Sequence, residues 1–450
     1  MLPPIQRVPN DVLLELLRSA YQSSEMDWVS SVDDRTLLSL VCKEWCALIL
    51  SCTQFWRFVP ITRMTSTSFV HRMLLRSGSQ DLTVFVNLYT FTIYRKLDLP
   101  NNRSMQAQNY VLETLLPIFA PQIHRVVNVS AQCFTERDWK SLLGALTRTN
   151  PPRLQSILAG VLIVGDPEYR LPVFATIPPL SSMSITANGL WSDMAIYRQV
   201  KKLRLTSSAL AEPMAWLSFI AVLKAAPLLC NLQLVDMKWT GLGAFQHVYL
   251  DTVVELHIST EVWSSALPIE WLHFKNLRVL RLTTFSTPHE VMVALAESLP
   301  RIRRLELLIP EIVLDDVRFD DLLAATGNVS ELKLLSPCKK ALDCIVASAR
   351  AQTLTMPKVL SIEVDGTVGQ EDGLALLACA SSSCSLQVDD GQGRCTKWGL
   401  FAGCLTEERT GAVVADTALE GPWVTDRYGP PGRRTSRGSA HFIREFIAQP

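Results

Sequence analysis

The sequence predicts an α/β solenoid led by a small all-α unit. Two observations carry the prediction. A six-residue apolar pattern returns at near-constant intervals between residues 200 and 364, and the first sixty residues hold a helical segment with more apolar surface than so short a unit can bury.

The pattern is apolar-x-x-apolar-x-apolar. It reads VKKLRL (200–205), LCNLQL (229–234), VVELHI (253–258), LRVLRL (277–282), IRRLEL (302–307), VSELKL (329–334) and VLSIEV (359–364). The central apolar residues, at 203, 232, 256, 280, 305, 332 and 362, stand 29, 24, 24, 25, 27 and 30 residues apart. Leucine-rich repeats recur every ~20–29 residues, so these intervals predict an irregular leucine-rich-repeat horseshoe. Weaker copies, LSSMSI (180–185), LQSILA (154–159) and HRVVNV (124–129), extend it upstream, and the array is expected over 80–367. Segments such as AWLSFIAVLKAAPLL (215–229) and EVMVALAESLP (290–300) have the helical spacing a return path needs. Three places after each last apolar residue, where such repeats carry Asn or Cys, stand Ser208, Met237, Glu261, Phe285, Pro310 and Pro337. The turns are therefore expected to be irregular.

Strand side chains alternate, so the residues beside each central apolar one share the open sheet face. They are Lys202 and Arg204, Asn231 and Gln233, Glu255 and His257, Arg281, Arg304 and Glu306, Glu331 and Lys333, and Ser361 and Glu363. Their mixed charge suits a protein partner. Residues 368–450 lose the periodicity, are rich in Gly, Ser and Pro, and read as an irregular tail.

At the start of the chain, Val8-Pro9-Asn10-Asp11 supplies a proline and capping residues, followed by Val12, Leu13, Leu16, Leu17 and Ala20 on one helical face. A polar loop is expected over 21–34, with Ser31 and Asp34 at capping-box spacing before a second helix. In that second helix Leu37, Val41, Trp45 and Leu48 form one stripe and Leu38, Cys42, Cys46 and Ile49 the adjoining one. Either the helix lies inside a large core, or one stripe serves its own domain and the other a partner. Pro60 is expected to close the segment.

Several function classes are excluded by what the chain lacks. Lys+Arg and Asp+Glu are equal at 43 each, so no global field favours nucleic acid or an anionic membrane. No apolar run spans a bilayer, and MLPPIQRVPNDVLLELL does not read as a secretory signal. The eleven cysteines have no C-x-x-C spacing and read as reduced thiols of a cytoplasmic or nuclear protein. Cys379, Cys384, Cys395 and Cys404 match no zinc spacing, so no metal or other cofactor is expected. His289-Glu290 lacks the second His of a zinc-protease helix, Gly241-Leu242-Gly243 continues to Gln246, and no G-x-S-x-G elbow occurs. No enzymatic activity is expected.

The first sixty residues resemble the F-box motif. The positions that carry the resemblance are Val8-Pro9-Asn10-Asp11, the helix VLLELL, the run Leu38-Ser39-Leu40-Val41-Cys42-Lys43-Glu44-Trp45, and the closing Ser51-Cys52-Thr53-Gln54-Phe55-Trp56. Followed by a leucine-rich-repeat-like array, this is similar to F-box/leucine-rich-repeat proteins of fungal type. The resemblance implies a small all-α F-box unit over 5–60 that docks a Skp-type adaptor and, through it, a cullin. It divides Pro9, Val12, Leu13, Leu16, Leu40, Val41, Cys42, Trp45 and Leu48 between core and adaptor contact. It also implies that the repeats hold a protein client of a ubiquitin ligase, on the face carrying Lys202, Arg204, Gln233, Glu255, His257, Arg281, Arg304, Glu306, Glu331 and Lys333.

Overall fold

The computed structural model describes residues 8–24, 28–62, 65–87, 110–135, 142, 144, 146–148, 150–163, 174–186, 193–207, 214–240, 247–260, 271–284, 298–308, 329–335, 359–363, 385–389, 395–401 and 404–410. The segments 241–246 and 289–297, Cys379, Cys384 and the tail beyond 410 lie outside the described residues. Two compact units divide the chain: residues 39–414 form one, and residues 1–38 belong to the other together with 415–450.

In the first unit, α1 (Asn10–Ser24) opens with Asp11 in its first turn, where a carboxylate complements the helix dipole. Leu13, Leu17 and Tyr21 recur at four-residue spacing and are buried. Helix α2 (Trp28–Val41) takes in the second half of the segment expected as a loop, and α1 its first four residues. Ser31 and Asp34 lie inside it rather than capping it. A capping preference of about 1 kcal/mol is small enough for the continuing helix to override.

The apolar segment expected as one helix is two. Cys42 has extended backbone (φ −160°, ψ 170°), and its thiol accepts the Trp45 N–H at 3.5 Å, capping α3 (Lys43–Ser51). The same thiol donates to the Glu44 carboxylate and holds it below the usual carboxylate range. In the second unit the closing Phe55 and Trp56 are buried. The Trp56 indole N–H donates to the Ile49 carbonyl at 2.9 Å, and the Arg76 guanidinium lies 4.4 Å over its ring. These contacts tie α3 to the short helix Thr53–Trp56 and, through its tryptophan, to the helix Thr67–Arg76.

That sheet is mixed α/β architecture on a large scale. Among the described residues it has fifteen strands in chain order: Phe58–Thr62, Leu82–Asn87, Val126–Thr135, Ser156–Ile163, Ser182–Thr186, Lys202–Thr206, Asn231–Val235, Glu255–Thr260, Val279–Thr284, Arg304–Leu308, Glu331–Leu335, Val359–Glu363, Ser385–Asp389, Cys395–Phe401 and Cys404–Thr410. The first thirteen pair in parallel and the last two antiparallel. The sheet starts at Phe58, earlier than the expected residue 80, and its strands continue past 367. Pro60 sits within the first strand, which pairs on one side only, so its missing N–H disturbs no ladder there.

Register explains the sequence pattern. One column of partners runs Val59, Val84, Val129, Ile157, Met183, Leu203, Leu232, Leu256, Leu280, Leu305, Leu332, Leu360 and Leu386. From Val59 to Leu332 every member is at most 4% exposed. The leading apolar positions Val200, Leu229, Val253, Leu277 and Ile302 are at most 1% exposed, so they belong to the same core. Each such side chain contributes roughly 2 kcal/mol of burial. Two expected centres are displaced by two residues: Leu360, not Ile362, aligns with Leu332, and Val129, not Val127, aligns with Ile157.

The joint between repeats is built on a backbone carbonyl, to which the side chains of Ser181, Cys230 and Ser330 add a donor at Gln155, Lys201 and Arg303. The carbonyl of Lys201 accepts from both Cys230 N–H (2.9 Å) and Asn231 N–H (3.0 Å). The carbonyls of Gln155, Ser181, Cys230, Val254, Arg278 and Arg303 each accept two successive N–H groups of the next repeat in the same way. Below the sheet, the predicted return helix is present as Trp216–Ala225. It buries Trp216, Phe219, Ile220, Val222 and Leu223, and Trp216 and Phe219 meet Trp239 at ring distances of 5.4 and 4.8 Å.

Candidate functional site

Two sets of residues stand out from the core. The first is the sheet face. Side chains alternate along each strand, visible in the inward Leu203 and Leu205 against the half-buried Lys202 and Arg204. Pairing then places Arg204, Gln233, His257, Arg281, Glu306, Lys333, Ser361 and Gln387 side by side in one column. Lys202, Asn231, Glu255, Val279, Arg304 and Glu331 form the column beside it. The face expected from the sequence is thus assembled by the structure, with Glu363 one strand position further along, level with Asp389.

Charges on this face are coupled. Glu306 is buried and takes Arg304 Nη2 on Oε1 at 2.7 Å and Arg281 Nε on Oε2 at 3.6 Å. Arg304 Nε also lies 3.5 Å from Glu331 Oε1, and Asn231 Nδ2 donates to Glu255 Oε2. His257 Nε2 meets Thr283 Oγ1 at 2.9 Å. Burial pushes the His257 imidazole down to about 3, with Arg281 and then Arg204 adding to the effect, so it is neutral at physiological pH. The neutral ring lets two guanidinium groups stand on either side of it.

Replacing Glu306 by Ala removes the carboxylate that neutralises two cations. Stability should fall by about 2 kcal/mol in urea titration, below the ~3–5 of a fully enclosed pair because Arg281 and Arg304 are 30% and 35% exposed. Glu306→Gln, which keeps an acceptor oxygen, should lose less. An unchanged midpoint in the Ala variant would show that the pairs contribute nothing.

The second set is apolar. On α1, Val12 and Leu16 are 48% and 55% exposed; on α2, Leu37, Leu40 and Val41 are 61%, 54% and 58% exposed. Pro9 is exposed, whereas Cys42, Trp45 and Leu48 are half-buried. Leu13, expected among the adaptor contacts, is 4% exposed and belongs to the interior. Leu37 was missed as a surface residue because two adjoining apolar stripes do not tell which of them faces water.

No family model matches the chain, and no curated protein matches it. The two surfaces are therefore the basis for a function. Among the described residues no helix is long and apolar enough to cross a membrane, and no three His, Cys, Asp or Glu side chains gather as metal ligands. Cys395 and Cys404 lie at opposite ends of the last strand pair, opposite Thr410 and Phe401. Sequence reading also missed a surface cluster from neighbouring repeats. There His247 Nδ1 meets His273 Nε2 at 2.7 Å, with Tyr249 stacked on His273 and Trp271 against His247. The repeat interval of their positions is the one signal that links them.

Proposed function

We propose that the chain is a non-catalytic, substrate-recruiting subunit of a Skp–cullin–F-box ubiquitin ligase. The exposure of Val12 and Leu16 on α1, and of Leu37, Leu40 and Val41 on α2, carries the reading, since large aliphatics left in water at helical spacing along one helix are the usual mark of a helix face completed by a partner. The VCKEW string with its downstream FW supports it, as does a leucine-rich-repeat-like solenoid behind that segment, whose polar face suits a protein client. The helices dock the adaptor, and the repeats hold the client near the ubiquitin-loaded enzyme. The chain then contributes proximity and orientation while other subunits carry out the chemistry. Such a protein acts in the cytoplasm or the nucleus.

The test is co-purification of the full chain with a Skp-type adaptor, followed by titration. Leu16→Asp combined with Val41→Asp should weaken binding by at least about a hundredfold, because each places a carboxylate at an apolar contact. Both positions are exposed, so the melting temperature should hold. Failure of the wild-type chain to bind at micromolar concentration would replace the ligase reading with that of a repeat scaffold outside any ligase.

A further inference from the structure

The chain has no net charge, so any local excess comes from placement. Six successive strands, beginning at Lys202, Asn231, Glu255, Val279, Arg304 and Glu331, concentrate cations at their entry. The residue before each strand is Lys201, Cys230, Val254, Arg278, Arg303 and Ser330: three cations and no carboxylate. Lys201, Arg278 and Arg303 are exposed. Lys275 and Arg301, also exposed, stand in turns leading to these strands, and Arg301 Nη1 donates to the Lys275 carbonyl at 2.9 Å. The adjoining face adds Lys202, Arg204, Arg281, Arg304 and Lys333 against Glu255, Glu306 and Glu331. A buried acceptor there, Gln233 Oε1, has no hydrogen-bond partner, which an incoming backbone N–H would supply.

We propose that this entry rim, with the adjoining sheet face, binds an extended acidic peptide segment whose carboxylates follow the spacing of Lys201, Arg278 and Arg303. That the segment belongs to a ligase client rests on the function proposed above; the binding itself does not. Strands are ~4.8 Å apart, so Arg278 stands three strands or about 14 Å from Lys201, and Arg303 one strand further, at about 19 Å. An extended peptide rises ~3.4 Å per residue, so its first, fifth and seventh side chains reach these points, and odd positions share one side. The pattern is acid-x-x-x-acid-x-acid. A nucleic acid fits less well. Its continuous phosphates would run against Glu255, Glu306 and Glu331, and the twelve face positions of these strands hold no Phe, Tyr or Trp for base stacking.

The experiment uses the full chain and fluorescent seven-residue peptides in about 50 mM salt, read by anisotropy. One peptide, Glu-Ser-Gly-Ser-Glu-Gly-Glu, carries the predicted spacing; a permutation, Glu-Glu-Glu-Ser-Gly-Ser-Gly, carries the same charge. The spaced peptide should bind about fivefold or more tightly than the permutation, and should lose about tenfold or more in the variant K201E/R278E/R303E. All three positions are exposed, and an unchanged melting temperature checks the fold. Equal binding of the two peptides would reduce the surface to a diffuse field and overturn the proposal. So would undiminished binding by the triple variant, or tighter binding of a single-stranded RNA that the same variant loses. Adaptor binding is measured on the same samples: a wild-type chain that binds the spaced peptide but no adaptor would sink the ligase reading and leave this one standing.

Discussion

Trp216→Ala is expected to cost about 4 kcal/mol of stability, the largest loss from any single truncation in the repeats. Trp216 is 1% exposed and meets Trp239 edge-on at 5.4 Å and Phe219 at 5.4 Å, the three rings closing a mutual cluster. An edge-to-face pair adds about 1 kcal/mol to what burial gives. The ring also anchors the start of the return helix Trp216–Ala225, so its removal opens a cavity between helix and sheet that rigid strands do not close. Urea unfolding with near-ultraviolet circular dichroism measures both the free energy and the fate of the cluster. Leu217→Ala is the control: Leu217 is 56% exposed and should change stability by less than about 0.5 kcal/mol. A Trp216→Ala loss below 1 kcal/mol or so would mean that the neighbours collapse into the gap.

The second large effect is on acid stability. His257 titrates near 3 in the folded chain against 6.5 ordinarily, so between these values the unfolded state binds the proton and the folded state does not. Stability from the neutral ring is therefore present above pH 6.5 and is lost progressively as pH falls toward 3. One unit is 1.36 kcal/mol, so the loss between pH 7.5 and 4.5 is of the order of 2.5 kcal/mol. Other groups change protonation over the same interval, so the measured quantity is the difference between wild type and His257→Gln. Glutamine keeps a hydrogen-bonding group for Thr283 but gains no charge, so the variant should lose correspondingly less stability over that interval. Parallel curves for the two proteins would show that His257 is protonated in the folded state at the lower pH.

Much of the sheet was legible because its signal is a repeated spacing of three apolar positions, all of which enter one core. Parity survived even where register slipped. In VLSIEV, residues 360, 362 and 364 are apolar at alternate places, so alternation alone does not choose between them. A slip of two residues keeps each side chain on the same face, so the register of Ser361 with Lys333 follows from alternation as well. Ser385-Leu386-Gln387-Val388-Asp389 alternates as clearly, but its Gly- and Ser-rich flanks masked it. The break at Cys42 was hidden because both apolar stripes pass through it, and a thiol is an unusual cap. Burial of Leu13 beside exposed Leu16 is a matter of tertiary packing, which helical spacing leaves open.

The carbonyl that receives two N–H groups at each strand entry separates the pitch of the array from its composition. The accepting group is always a backbone carbonyl, so residues as different as Gln155, Cys230, Val254 and Arg303 occupy the same joint. The return path between joints is free to change length, and it does: column residues are 20 apart from Met183 to Leu203 and 29 apart from Leu203 to Leu232, with no shift in strand pairing. A repeat protein built this way can accumulate substitutions and insertions on its outer segments while each new strand still enters at the same height. Its lineage would then diverge in letters far faster than in backbone, and the polar columns, which no joint constrains, are where a new partner can be acquired first.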